Sequence, residues 1–318
     1  MSKNKKHWEH YWETGVLTSL PQDFKSNYDN EIYDFWYRQV LSFRENSTVV
    51  DVCTGNGAIA LMIQDISNKL NKNISVIGVD AANINPVNIV KEQPDYKDLV
   101  NSVKFFGGVR IEEMDTVITS KVDYVVSQYG IEYCKTKKIA PKINKILKDN
   151  GKLIFVSHSP NSDIYIYMKQ EKKDFKKLKK LKLFDLFYKF VENKEKPLNF
   201  KFKLEETLNE IERIFGNKLN SFVFEWVQTI QRLINMPKHT LLANKKQINE
   251  FISIHMYARK RADDLISVIN KITKKPKWYK KFTENGLILT KTGQLLYKNN
   301  HVVGTYFEYI KKSTNNDD

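Results

Sequence analysis

Residues 47–60, STVVDVCTGNGAIA, constrain this chain more than any other stretch. They read as a buried strand that closes on an acid, then a glycine turn, then the start of a helix. Gly55 and Gly57 lack a Cβ, so the chain turns tightly and a ligand can approach the backbone. The helix that follows points its unpaired N–H groups at the same spot. Such a place suits an anionic or zwitterionic ligand of nucleotide size, and Asp51 discriminates between the candidates.

Gly55 to Ala60 satisfy G-x-G-x-x-A, and Asp80 follows a second apolar strand, ISVIGVD, near the spacing of a dinucleotide fingerprint. A pyrophosphate gains nothing from a carboxylate four residues before the first of these glycines; a ligand bearing an amino group does. Asp51, Gly55, Gly57 and Asp80 together resemble the class I S-adenosylmethionine-dependent methyltransferases, of the UbiE-like small-molecule type. The resemblance implies Asp51 near the methionine end and Asp80 on the ribose hydroxyls, with Thr54, Gly55, Asn56, Gly57 and Ala81 in the same cradle. One departure is Cys53, which stands where this family most often has its first glycine.

The resemblance continues in order along the chain. KFFGGVRIEE (104–113) resembles the third strand and the loop beside the adenine, with Val109 and Arg110 in it. VDYVVSQYGIEY (122–133) resembles the fourth strand and the substrate-facing loop, and NGKLIFVSHS (150–159) the fifth strand. LILTKTGQLLY (287–297) and HVVGTYFEYIK (301–311), joined by Lys298-Asn299-Asn300, resemble the antiparallel sixth and seventh strands of the family. The implied fold is α/β: a Rossmann-like seven-stranded sheet, mostly parallel with strand 7 antiparallel, plus an inserted helical subdomain. The expected division is an aromatic lid and helix over 1–46, the cofactor-binding core over 47–160, a Lys-rich helical insertion over 161–284, strands 6 and 7 over 285–312, and a disordered tail over 313–318.

With 318 residues, 41% hydrophobic and 12% aromatic, the chain can bury a substantial core without cross-links. Its two cysteines, Cys53 and Cys134, give neither zinc spacing nor a disulfide framework, so no metal is expected. No apolar run approaches the ~18 residues of a membrane span, and the amino-terminal MSKNKKHWEH lacks the apolar core of a secretory signal. The expected compartment is the cytoplasm.

Charge is uneven: residues 1–160 carry a net +1 and the remainder +14. The densest segment, 172–182, is followed by LFDLFYKF, and Phe175, Leu178, Phe184 or Leu186, and Phe190 align on one face of a helix with lysines on the other. That face can meet RNA phosphates, an anionic membrane surface or an acidic substrate, or simply be solvated. Beyond it, LEETLNEIERIFG predicts a helix stopped by Gly216, SFVFEWVQTIQRLI one ended near Pro237, and ANKKQINEFISIHMYARKRADDLISVINKI one or two more ended by Pro276. An insert here is expected to wall the acceptor pocket.

The first 40 residues include Trp8, Tyr11, Trp12, Phe24, Tyr28, Tyr33, Phe35, Trp36 and Tyr37, far more aromatic surface than a flexible tail carries. They resemble the amino-terminal cover of several small-molecule methyltransferases. Tyr11 and Tyr28 are the candidates for hydroxyls reaching the cofactor, and Trp36 reads as core.

Methyl transfer asks mainly for geometry and exclusion of water. A hydroxyl or protonated amine acceptor needs a base; near the strand ends His158 is the sharper choice and Glu132 the other, while His7 and His10 could enter from the lid. Ser127 and Gln128 are placed to touch the cofactor and Tyr129 the acceptor. Methyltransferases of exocyclic base amines carry prolines at this loop and the cytosine-C5 family a Pro-Cys pair; Ser127-Gln128-Tyr129-Gly130 and Tyr133-Cys134 resemble neither, which disfavours both chemistries. Three functions remain open: a methyltransferase for a small molecule, one for RNA or protein that docks through the basic insertion, and a cofactor-binding partner without transfer activity.

Overall fold

Successive residues of the central strands go to opposite sides. Val49, Val126 and Ile154 pack into one apolar cluster, and their neighbours Val50, Val125 and Leu153 into another. Strands buried on both faces need helices above and below, which parallel crossover connections supply. The computed structural model describes residues 6–19, 24, 26–216 and 218–313. From residue 314 on, the expected disordered tail lies outside them, as do 1–5, 20–23 and 25 of the expected lid.

The strands are β1 (Thr48–Val52), β2 (Ser75–Val79), β3 (Lys104–Phe106), β4 (Val122–Gln128), β5 (Leu147–Ser157), β6 (Leu287–Tyr297) and β7 (His301–Lys311). The helices are α1 (Lys6–Glu13), α2 (Asn30–Ser42), α3 (Ala58–Lys69), α4 (Val87–Glu92), α5 (Lys97–Ser102), α6 (Thr136–Ile146), α7 (Asp163–Lys180), α8 (Leu183–Val191), α9 (Pro197–Phe215), α10 (Ser221–Asn235), α11 (Lys238–Ala243), α12 (Lys245–Lys274) and α13 (Lys280–Thr283). The chain divides into two compact units, residues 1–165 with 267–318, and residues 166–266.

The first unit holds one sheet of seven strands in the order β3-β2-β1-β4-β5-β7-β6. β1 to β5 run parallel, and β7 is antiparallel to both its neighbours. Because β2 and β4 flank β1 on opposite sides, the connections diverge there and leave a crevice at the carboxyl ends of β1 and β4. The β6–β7 hairpin turns through Lys298 and Asn299, both at positive φ as a tight hairpin requires. Its tip is held by the start of α2: the Glu31 carboxylate accepts from the Lys298 and Asn299 N–H groups at 3.0 and 3.1 Å, and the Tyr297 hydroxyl donates to Asp29 at 2.8 Å. At the opposite end of β4, Asp123 accepts from Arg44 (2.6 Å), the Thr48 N–H (3.0 Å) and Lys148 (2.8 Å), tying β1, β4 and β5 together.

The second unit has its own core, in which Leu178, Phe184, Phe187, Phe190, Phe200, Trp226 and Ile252 are buried. The single amphipathic helix expected through the lysine run is two: the chain breaks after Lys180, with Lys182 at φ 57°, so Leu178 belongs to α7 while Phe184, Leu186 and Phe190 belong to α8. Gly216 closes α9 at φ 52°, and the segment from 245 to 274 is one continuous helix. Among the described residues no helix is long and apolar enough to cross a membrane.

Candidate functional site

The carboxyl end of β1 breaks the local rules of chain geometry in quick succession. Cys53 stands at φ 60°, Gly55 at 56° and Gly57 at 94°. Cys53 thus adopts a left-handed conformation that favours glycine, at a cost of ~1–3 kcal/mol. A Cβ on Gly55 would lie 2.5 Å from the Trp12 ring, and one on Gly57 2.6 Å from the Phe105 ring, so neither position accepts a side chain. The Cys53 and Cys134 thiols are free and 3.9 Å apart.

Asp51 lies almost fully buried between Gly78 of β2 and Val126 of β4. Thr54 donates to its Oδ2 at 2.6 Å, while Oδ1 has no partner. Burial pushes its carboxyl up to about 7, against the hydrogen bonds of Thr54 and the Ala60 N–H and with help from the Asp80 charge. Asp80, past β2, accepts from the Gly55 N–H at 2.9 Å and from the Ala82 N–H at 2.7 Å. Its own backbone joins the neighbouring loop, accepting from the Val109 N–H at 2.8 Å. Ala81 and Val109 are half-buried beside it and Arg110 is exposed.

Asn56, wholly buried, pins the amino-terminal segment onto the glycine turn: its Nδ2 donates to the carbonyls of Trp12 (2.8 Å) and Val16 (2.9 Å), and its Oδ1 accepts from the Asn85 N–H (3.2 Å). Trp12 thereby lies on Gly55, stacked with Trp8, whose edge meets Tyr133. Aromatic composition alone did not single out either tryptophan; the signal that could have is Asn56, an amide inside a glycine turn, which needs carbonyl partners when buried. The two tyrosines proposed to reach a cofactor have hydroxyl partners nearby. Tyr11 donates to the Thr18 carbonyl at 2.8 Å, and the Tyr28 hydroxyl lies 3.0 Å from Ser19 Oγ.

On β4 and the loop after it, Ser127 donates to the Val52 carbonyl at 2.7 Å, and Gln128 Oε1 accepts from Trp36 Nε1 at 2.8 Å, leaving Gln128 Nε2 without a partner. Tyr129 takes φ 55°, rare for a bulky side chain, donates to the Val303 carbonyl at 3.0 Å and stacks on the His158 ring, with centroids 4.6 Å apart. Glu132 is buried: its Oε1 accepts from the His158 N–H at 2.8 Å and Oε2 has no partner. Burial raises its carboxyl to about 7, partly offset by the His158 N–H. Desolvation moves the His158 imidazole the other way, to about 3, and its Nδ1 is also unpartnered.

The structure thus gathers Asp51, Thr54, Gly55, Asn56, Gly57, Asp80, Gln128, Tyr129, Glu132 and His158 at the carboxyl ends of β1, β2, β4 and β5. Four of their buried polar atoms, Asp51 Oδ1, Gln128 Nε2, Glu132 Oε2 and His158 Nδ1, lack partners. A cavity of about 570 Å³ lies elsewhere, lined by Phe24, Tyr33, Leu61, Met62 and Tyr96; Tyr28 alone of the candidate site residues reaches it.

The strand order with a reversed β7 is a seven-stranded variety of the Rossmann-like fold. No family model matches the sequence. An uncharacterised isomerase from Clostridium acetobutylicum is 30% identical over 164 residues, 43% of this chain and 53% of that protein, so the chain spans about half the length of the curated relative it matches. Among solved structures, a presumed rRNA-methylase from Clostridium thermocellum aligns with a TM-score of 0.41 and 12% identity over 90% of this chain and 97% of its own. An O-methyltransferase family protein from Burkholderia thailandensis aligns with 0.33 and 16% over 45% and 40%. A presumed zinc-dependent alcohol dehydrogenase from Rhodobacter sphaeroides aligns with 0.47 and 12% over 98% and 100%. At these scores none of the three decides what the chain does.

Proposed function

We propose that the chain is an S-adenosylmethionine-dependent methyltransferase acting on an oxygen or nitrogen atom of a small-molecule acceptor. The observation that carries this reading is the set of four unpartnered polar atoms at the strand ends. Buried polar atoms are nearly always paired, and a cluster of exceptions in a crevice beside a glycine turn marks where a polar ligand completes the network.

Asp51 Oδ1 suits an amino group, and a cationic partner there would shift a carboxyl that titrates at about 7 toward its charged form. The turn at Gly55, Asn56 and Gly57 offers backbone at close approach, and Asp80 suits paired hydroxyls, exchanging its bonds to the Gly55 and Ala82 N–H groups. When bound, the sulfonium supplies an already activated methyl group. The chain's remaining tasks are to orient the acceptor, exclude water and take a proton. Glu132 suits the last task better than His158, because a carboxyl near 7 exchanges protons in the working range while an imidazole near 3 is a weak base. His158 then positions Glu132 through its N–H and offers Nδ1 as an acceptor. Trp8 and Trp12 provide an apolar roof over the turn.

Calorimetric titration with S-adenosylmethionine, S-adenosylhomocysteine and NAD tests the reading. Micromolar binding of the first two and not of NAD is expected; binding of NAD alone would move the chain to the oxidoreductases.

A further inference from the structure

The second unit carries 22 Lys+Arg against 13 Asp+Glu, a net +9 in 101 residues. Two lysines of its densest stretch are spent internally. Lys172 meets Asp263 at 2.5 Å, and Lys177 lies 3.3 Å from Asp174 and over the Phe215 ring. Lys173, Lys176 and Lys180 are not: all three are exposed, and among the described residues none of them pairs with a carboxylate. They follow one another on α7 at steps of three and four. With 3.6 residues per turn the three fall within a face about 60° wide and span about 10 Å along the axis. The acidic residues of α7, Asp163, Glu171 and Asp174, lie about 80° or more round the helix from each of these lysines.

We infer that this row is a docking surface for a nucleic-acid strand, held through its phosphates. A straight file of like charges one helical turn apart is costly in isolation and matches a regularly repeating anion. A bilayer is the poorer fit, because a helix seated in lipid places bulky apolar side chains among its lysines. Here the lysine face has only Ile166, at its amino end, while the exposed Leu198 and Phe202 belong to α9 and Phe224 to α10. An acidic peptide would need matching charges at the same repeat, which a phosphodiester chain has by construction. The inference is independent of methyl transfer, since docking needs neither cofactor nor acceptor.

The test is fluorescence anisotropy of the full chain with a labelled single-stranded RNA 12-mer across a salt series, against the variant K173Q/K176Q/K180Q. A control, K218Q/K238Q/K246Q, removes the same charge from exposed lysines elsewhere in the unit. Three phosphate contacts on a single strand give a salt slope of about −2, so the row variant should bind about 100-fold more weakly at 0.1 M salt and lose that slope, while the control binds as the parent. A DNA 12-mer should bind within about threefold of the RNA, because phosphate contacts read neither base nor sugar. Unchanged circular dichroism and melting midpoint secure that the variants are folded. No RNA binding by the parent, equal loss in both variants, no loss in the row variant, or binding of phosphatidylserine vesicles in place of RNA would each overturn the inference.

Discussion

Replacing Asp51 with Asn should shift the protein's stability in opposite directions at low and high pH. The group is buried, and its carboxyl is raised from 3.8 to about 7. In the unfolded chain it ionises near the ordinary value; in the folded chain it does so only near 7. Folding stability is therefore fully present below about 4, declines as the pH rises from there to 7, and stays at the lower level above. At about 1.4 kcal/mol for each tenfold, the cost to the folded state is roughly 4 kcal/mol at pH 8.5 and roughly 2 kcal/mol at pH 5. An asparagine has no charge to lose. Its carbonyl still accepts from Thr54, but its NH₂ takes the place of an oxygen without a partner, a penalty of about 1–3 kcal/mol at every pH. The balance should move in favour of the variant by roughly 2–3 kcal/mol between pH 5 and 8.5, whatever that penalty is. Urea unfolding followed by tryptophan fluorescence reads this directly, since Trp8, Trp12, Trp36 and Trp278 belong to the first unit and only Trp226 to the second. Parallel pH curves for parent and variant would refute the reasoning, because they would mean that Asp51 is already ionised and paired in the fold. The same variant should bind S-adenosylmethionine far more weakly at pH 8.5, where its fold is the more stable of the two.

Two further substitutions separate the roles proposed for the crevice. Glu132→Gln should lower the methyl-transfer rate about 100-fold or more while leaving cofactor affinity nearly intact. In the parent the rate should rise with pH through about 7, as the base loses its proton, and in the variant that limb should vanish; a retained limb would remove Glu132 from the base role. Asp80→Ala should weaken cofactor binding by about 1–3 kcal/mol, read by calorimetry, and unchanged affinity would mean that Asp80 serves only to brace the Gly55 and Ala82 N–H groups.

The sheet was legible because its strands carry their own periodicity. β6 and β7 run over the residues expected, 287–297 and 301–311, with alternation and a two-sided turn to fix them. β5 begins at Leu147 rather than Asn150, because Asn150-Gly151 reads as a turn in sequence yet forms an irregularity inside the strand, with Asn150 at φ 60° and a register shift opposite Val122. The break between α7 and α8 was invisible for the converse reason: its left-handed residue is Lys182, with no glycine, asparagine or proline to mark it. In the crevice, the acids and glycines follow from chain order alone. The pairing of Gln128 with Trp36 joins residues 92 apart, and the contact of Trp12 with Gly55 joins segments that no local spacing relates.

Where the chain departs from its own rules is a second, independent pointer to the crevice. Among the described residues eleven non-glycine positions have positive φ. Seven are asparagines, which tolerate that region, and Lys182 and Lys298 sit in turns between elements. The two that remain are Cys53 and Tyr129, one at the end of β1 and the other at the end of β4, on either side of Gly130, where a Cβ would come within 2.3 Å of Cys53. The same few ångströms hold two buried acids raised to about 7 and an imidazole lowered to about 3. Strain and desolvation of this kind oppose folding; elsewhere in the first unit positive φ falls mostly on turn asparagines, and the buried Asp123 is paired with Arg44 and Lys148. Concentrating them where β1, β4 and β5 end, beside a turn that admits no side chain, is what a site preorganised for a charged ligand demands.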